Sequence, residues 1–434
     1  VSAPPDSPLR ALARAAKDAA RAMARAPAAQ RAAAIRAIAE GLSARRADVL
    51  SANRLDVEAA RAAGLSETLT DRLSLTHARV DALQGALLEI AAQPDPVGAT
   101  TREWSRPNGL RVRRVRLPLG VILMIYEARP NVTLDAAALC LKSGNAAILR
   151  GGSEARATNA ALFTLVSAGL SAAGLPPEAV VMVPTQDRDA IDELVTLSEE
   201  IDLVIPRGGP GLIARVVARS RIPVVRHDQG ICHVYIDAAA DPRKALDIAV
   251  NAKTQRPGVC NAMETLLVDS AVAAAHLPAL LAALDARGVE LRLCPAALAA
   301  AGDAACDASG DASWRARLAP ATPADWDAEF LSLTLAVRVV DGVEGAVAHI
   351  DAHGSRHTAA IVTEDAAAAE RFTREVDASC VLVNASTRFN DGGELGLGAE
   401  VGISTTRVHA FGPMGAESLT AEKFVVWGDG QVRG

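Results

Sequence analysis

Lysine is scarce in this 434-residue chain, and nowhere do lysines and arginines gather into a long basic block. The formal net charge is -6. Without a cationic surface large enough to cover a phosphate backbone, nucleic acid is excluded as an expected partner. Long apolar runs are missing as well. Arg, Asp or His breaks every alanine-rich stretch before the roughly eighteen residues that a membrane span needs. No charged segment followed by an apolar core opens the chain, so no leader is expected. Cys140, Cys232, Cys260, Cys294, Cys306 and Cys380 are widely spaced, with no C-x-x-C and no Cys/His array. That spacing argues against structural zinc or an iron–sulfur cluster, and no metal site is expected. A reducing cytoplasm is the expected compartment, and a working thiolate survives there. Finally, no G-x-G-x-x-G follows any candidate strand, so the standard dinucleotide fingerprint is lacking.

The residues that are present describe a globular α/β protein. Hydrophobic residues make up 50% and charged residues 22%, and the length exceeds what one core organises, so two or three domains are expected. Residues 7–50 carry Leu9, Leu12, Ala16, Ala20 and Met23, then Ile35, Ile38 and Leu42, at three- and four-residue spacing. This predicts helices, with Pro27 marking the break between two of them. Another interrupted helical stretch runs from Ser66, a capping residue, to about Ile90. Alternating segments flank Pro107-Asn108-Gly109 and predict a hairpin over 101–117. Its two readings are an arm that leaves the globule to pair with another subunit, and a cationic arm built on Arg111, Arg113, Arg114 and Arg116.

The nearly unbroken apolar run LGVILMIYE (119–127) predicts a parallel strand covered on both sides. A helix over 132–141 ended by Gly144, a strand at 146–149, a helix over 154–173 and short strands at 180–183 and 203–205 follow. They compose a βαβ layer, with ligands expected at the strand carboxyl ends. Glycine-rich turns at 151–152 and 208–211 suit close approach of a cofactor to the backbone, or are plain loops. Arg150, beside Ser153, either holds a cofactor phosphate or is solvated at the sheet edge. Beyond residue 231 the pattern repeats, with a helix near 271–287, a strand at 333–340, a helix over 342–352 and a strand at 359–362. A second βαβ layer results, and a cleft between the domains is the expected site.

The polar stretch NAKTQRPGVCNAMETLLV (251–268) is where chemistry concentrates. Cys260 stands there among Pro257, Gly258 and Asn261, between a helix and a strand. Cys140 in ALCL and Cys380 in DASCVLV read instead as small buried hydrophobes. A thiol with its ordinary pKa of about 8.5 becomes a good nucleophile where positive charge or helix-terminal N–H groups favour the thiolate. Lys253 and Arg256 are close in sequence and are candidates for that charge.

IYEARPNVTLD (125–135) and GNAAILRGGSEA (144–155) resemble the aldehyde dehydrogenase superfamily, more narrowly its gamma-glutamyl phosphate reductase branch. The resemblance continues through IDLVIPRGGPGLI (201–213), GICHVYID (230–237), the Cys260 stretch, AHGSRHTAAIVT (352–363), VNASTRFNDGGELGLGAEVGIST (383–405) and GPMG (412–415). It implies an aldehyde dehydrogenase-like α/β fold of two domains with parallel-sheet layers. Residues 1–100 and 118–230 would bind NADP(H), 231–408 would form the catalytic domain, and 101–117 with 409–434 would serve oligomerisation. NADPH is the implied cofactor and L-glutamyl 5-phosphate the implied substrate, reduced to L-glutamate 5-semialdehyde in proline biosynthesis. A homo-oligomer, dimer or tetramer, and glutamate 5-kinase as a pathway partner are implied as well.

By the same resemblance Cys260 is the nucleophile and Asn131 an oxyanion donor. Glu127, Arg129, Arg256, Asn384 and Ser386 are candidates to face the substrate, with Thr387, Asp391 and Arg407 behind them. Arg150, Ser153, Arg207, Gly208, Gly209 and Glu329 are candidates to meet the cofactor. Hydrolytic relatives carry a water-activating glutamate in an ELGG segment, where His227-Asp228-Gln229-Gly230 stands here. A reductase is thereby favoured, with a hydrolytic NAD(P)-dependent aldehyde dehydrogenase, using His227 or Asp228 as base, as the alternative. The family pattern HARGPMG reads His409-Ala410-Phe411-Gly412-Pro413 in this chain, which removes a cation from that loop.

Overall fold

Ser7, Ser66 and Thr76 each turn a side-chain oxygen onto a backbone N–H of the turn that follows, to Arg10, Leu69 and Arg79. Such caps satisfy helix-end donors that would otherwise lack partners. The helices of this region are Pro8–Met23, Ala28–Ala44, Arg46–Ala62, Glu67–Leu73 and His77–Ala92, with Pro27 between the first two. In this computed structural model residues 7–226, 229–301 and 318–433 are described. His227, Asp228 and Cys306 lie outside them. The expected apolar stripe is the buried one, with Ala16, Ala20, Met23, Ile35, Ile38 and Leu42 all inside. Burial of each Ile or Leu contributes about 1.5–3 kcal/mol.

These helices clad a four-stranded parallel sheet, ordered Val180–Met182, Ala146–Gly151, Val121–Tyr126, Leu203–Arg207. Every residue of Val121–Tyr126 is buried, as the run of apolar residues requires. Helix Val132–Lys142 stops at Gly144, whose φ of +74° lets its N–H reach Leu141 O while Asn145 N reaches Cys140 O. A Cβ on Gly144 would sit 2.5 Å from the buried Arg31 guanidinium. Chain order reverses between the strands Val121–Tyr126 and Leu203–Arg207. Their carboxyl ends form the kind of crevice where open α/β sheets take ligands.

The second sheet has seven parallel strands among the described residues. They are ordered Leu318–Pro320, Glu290–Leu293, Thr334–Val340, Met263–Asp269, Cys232–Ile236, Thr358–Val362, Cys380–Val383. Helices Pro242–Thr254, Ala273–Asp285, Gly342–His353 and Ala366–Glu375 cover it. Tyr235 stacks on Phe372 and donates its hydroxyl to Asp269 at 2.7 Å, so its polar end is satisfied inside the core.

The chain divides into two units, one of Val1–Arg226, Gly396–Gly402 and Thr406–Gly434, the other of His227–Leu395 and Ile403–Thr405. Most of the stretch 396–408 therefore returns to the first unit instead of continuing the second. The reason is packing: Val401, Met414, Ala416 and Leu419 belong to the core around the first sheet. The hairpin Thr100–Ser105 with Arg111–Pro118 is present, and its second strand pairs along its length with Thr420–Trp427 of the same chain. Arg113, Arg114 and Arg116 pair with Glu103, Glu422 and Glu417, so this sheet is not a bare cationic arm. No described helix is long and apolar enough to cross a membrane.

His233 and His349 meet edge to face inside the second unit, with Trp326 and His353 against His349. Burial, the largest effect on each, pushes His233 down to about 4 and His349 to about 2. The unfolded chain binds protons at these sites below about 6.5 while the folded one does not, so stability falls as pH drops through that value. At pH 5 each histidine should cost about 2 kcal/mol relative to pH 7.5. Urea unfolding at both pH values should show that loss in the second unit, and His349→Phe should remove roughly half of it.

Candidate active site

Cys260 lies on the turn between helix Pro242–Thr254 and strand Met263–Asp269, partly accessible. The turn is held on several sides. A Cβ on Gly230 would come within 2.1 Å of Cys260 O and 2.8 Å of its Cα, so only glycine permits this approach. The Cys232 thiol donates to Cys260 O at 3.1 Å. Asn261 Nδ2 donates to Asn390 O at 2.9 Å, and Asn390 Nδ2 donates to Thr358 Oγ1 at 2.8 Å. Gly230, Cys232, Cys260, Asn261 and Thr358 sit at or near the amino ends of their parallel strands, and Asn390 reaches that edge from the loop after strand Cys380–Val383.

The helix leading toward Cys260 ends at Thr254 with its carbonyl end foremost, so it offers the thiol no helix-terminal N–H groups. Positive charge must come from side chains. Lys253, a sequence candidate, does not supply it: its ammonium is fully buried and bound to Glu264 at 2.5 Å. Arg388, which sequence reading passed over inside VNASTRFNDGG, is a cation that feels Cys260. Burial pushes its pKa down, and the charges of Asp391 and Cys260 oppose that while Arg256 adds to it. Its Nε donates to Gln255 Oε1 at 2.8 Å, which fixes it beside the turn. The only signal in the sequence was its charge within a polar motif. Three other described thiols are made poor nucleophiles by burial. Burial pushes Cys140 up to about 12 and also raises Cys232 and Cys380.

Two predicted substrate residues are occupied by local structure. Asn384, with φ of +53°, accepts from Thr363 N and donates to Thr363 O, stitching two strand ends. Ser386 accepts from Arg388 N and so holds the turn that carries that arginine. Arg407 stacks over the Phe411 ring at 4.9 Å, so the aromatic residue in that loop gains a cation as its neighbour.

In the first unit Asn131 opens helix Val132–Lys142 and donates Nδ2 to Asp135 at 2.9 Å. Glu127, expected at the substrate, accepts from Gly209 N at 3.0 Å, at the start of helix Pro210–Arg219. Gly208 is held against the same carboxylate. Arg150 is not past its strand but within Ala146–Gly151, buried, and donates to Gln186 O at 2.7 Å. Ser153 is exposed and begins the short turn Ser153–Ala155. Glu329 is in the second unit, close enough for its charge to act on Glu264.

Arg150 Nε and Arg207 Nε are buried without a hydrogen-bond partner among the described residues, as is Gln186 Oε1. The two arginines flank the strand Val121–Tyr126 at its carboxyl end. A cavity of about 290 Å³ lined by Gly151, Arg156, Asn159, Met182 and Gln186 lies nearby. Orphaned cationic donors beside a helix N-terminus are what a phosphate-bearing dinucleotide requires, so these residues fit NADP(H).

Desolvation lifts the Asp135 carboxyl to about 7, with Glu400 adding to it and the Asn131 bond and Arg207 opposing. The folded state therefore holds this proton more tightly than the unfolded one, and stability falls as pH rises from about 4 to about 7. Asp135→Asn should gain stability over the parent across that range and no more above it, in thermal unfolding compared at each pH. An equal difference at every pH would contradict this assignment.

The aldehyde dehydrogenase family model matches residues 5–295. A gamma-glutamyl phosphate reductase of Anaeromyxobacter sp. (strain Fw109-5) is 55% identical over 428 residues, covering 98% of this chain and 97% of the relative. One from Rhodospirillum rubrum is 52% identical, covering 97% and 95%. The crystal structure of a gamma-glutamyl phosphate reductase from Thermotoga maritima superposes with a TM-score of 0.91 at 42% identity, covering 99% of this chain and all of that one (100%). An acetylating aldehyde dehydrogenase from Geobacillus thermoglucosidasius shares the fold at 20% identity, with a TM-score of 0.70. With a family model over most of its length and full-length relatives above half identity, the chain belongs to the aldehyde dehydrogenase family, in its gamma-glutamyl phosphate reductase branch.

Proposed function

We propose that this protein catalyses the NADPH-dependent reduction of L-glutamyl 5-phosphate to L-glutamate 5-semialdehyde, releasing phosphate, in proline biosynthesis. The observation that carries the reading is the likeness to reductases of that name over 98% of the chain. Cys260, partly accessible and near Arg388, is the nucleophile. Its thiolate attacks the acyl carbon, the bond from that carbon to the phosphate oxygen breaks, and phosphate leaves with the electron pair. A thioester on Cys260 remains. NADPH, when bound, supplies the hydride that reduces it. The tetrahedral oxyanion then collapses, the carbon–sulfur bond breaks, and the thiolate is restored as the aldehyde departs.

The Asn131 amide and the Cys260 backbone N–H serve as oxyanion donors in this scheme, and Asp135 keeps the Asn131 amide oriented. Arg129, Arg256 and Arg388 are the cations for the substrate carboxylate and phosphate. Arg150, Ser153, Arg207, Gly208, Gly209 and Glu329 hold the cofactor. The sequence lacks the water-activating glutamate of hydrolytic relatives, which suits an enzyme whose thioester must reach the nicotinamide intact. A homo-oligomer is supported by the apolar surface of strand Thr420–Trp427, where Phe424, Val426 and Trp427 are exposed. A cytoplasmic location, and glutamate 5-kinase as a pathway partner, complete the reading.

The assay that tests it runs backwards, from glutamate 5-semialdehyde and NADP⁺ with phosphate present or omitted. NADPH should appear only with phosphate, and phosphate-independent turnover would point to the hydrolytic alternative. Cys260→Ser should lose at least about a thousandfold in kcat, because an alcohol is hardly ionised at neutral pH. Asn131→Ala should lose about a hundredfold or more, the usual effect of deleting one oxyanion donor.

A further inference from the structure

We propose that the buried Lys253–Glu264 pair is a positioning device for the segment Glu329–Leu331, and through it for the carboxylate of Glu329. The inference rests on the reading of Glu329 as the residue that meets the nicotinamide ribose. Both members of the pair are fully buried, Lys253 at the end of helix Pro242–Thr254 and Glu264 in strand Met263–Asp269. The two oxygens of Glu264 act in different directions. Oε2 holds Lys253 Nζ at 2.5 Å, and Oε1 accepts from Leu331 N at 3.1 Å.

Leu331 has a φ of +52°, a left-handed conformation that a side-chain-bearing residue keeps only when its surroundings impose it. The surroundings here are these same charges. Lys253 Nζ lies 5.8 Å from the Phe330 ring centre, and the Arg292 guanidinium lies 5.4 Å from it. Phe330 is thus gripped by cations while the N–H of the next residue is bound to a carboxylate. Burial lifts the Glu264 carboxyl to about 7 while the Lys253 pairing and the Leu331 N–H pull it back, and in its ionised form the bond to Leu331 is roughly twice as strong as a neutral one. A buried ion pair adds little net stability over apolar side chains of the same volume. Its value to this unit is directional: it fixes the backbone that carries Glu329, which the strain at Leu331 would otherwise release.

The test compares Lys253→Met/Glu264→Leu, which removes both charges and the acceptor, with Lys253→Met/Glu264→Gln, which keeps an acceptor for Leu331. Amide hydrogen exchange over residues 329–331 is read without cofactor, and KM for NADPH and kcat are read with it. The first variant should exchange at least about tenfold faster there and show an NADPH KM raised about tenfold, with kcat within about threefold of the parent. The second should show about a threefold acceleration, with a correspondingly small rise in KM. Unchanged exchange in the first variant would overturn the proposal; if that variant does not fold, unchanged exchange in the second does so. Faster exchange with an unmoved KM would also overturn it, provided Glu329→Gln raises KM. If Glu329→Gln leaves KM unmoved, the reading of Glu329 is what fails, and the exchange result alone decides whether the pair locks the segment.

Discussion

The approach of Gly230 to the backbone of Cys260 is the constraint on which the second unit's chemistry turns. No side chain fits between them, since even a Cβ would overlap the Cys260 carbonyl. That carbonyl also takes the Cys232 thiol, and Asn261 ties the other side of the turn to Asn390. The sulfur therefore projects from a backbone with little freedom to move. For the nucleophilic role proposed for Cys260, such confinement would remove much of the entropic part of the barrier before the substrate arrives.

The charge near this turn comes from side chains. The helix before Cys260 points its carbonyl end along the chain toward it and so offers no helix-terminal N–H groups. Arg388 is coupled to Cys260 and to Arg256, and burial strips some of its solvation. The first unit follows the opposite logic. At the carboxyl end of its sheet helix Pro210–Arg219 starts, and Arg150 and Arg207 keep guanidinium nitrogens without hydrogen-bond partners among the described residues. The two sheets thus present opposite edges, one suited to binding phosphates and one to holding a sulfur.

Much of the fold was legible because periodicity survives without context. The stripe from Leu9 to Leu42, the run from Val121 to Tyr126 and the stop at Gly144 each state a local preference that the tertiary structure keeps. Cys260 stood out for a similar reason, as a thiol in a turn of Pro, Gly and Asn. What could not be read locally is which distant partner a polar side chain meets. Lys253 is near Cys260 in sequence, yet Glu264 takes its charge. Glu127 belongs to the helix at Gly209, and Asn384 to the backbone of Thr363. Arg388 was passed over because nothing adjacent in sequence marks it, while Gln255 and Cys260 become its neighbours only after folding.

Local sequence by itself determined which segments are helices and strands and that their layers are parallel α/β, and it singled out Cys260 as a thiol in a polar turn. Those properties depend on side-chain size, period and backbone freedom over a few residues. Only the tertiary structure decided which charges meet and that the stretch after Leu395 largely rejoins the first unit. A buried charge must find its partner wherever the chain brings one, and an apolar segment packs where a core has room for it. Neither choice is written in the residues beside it.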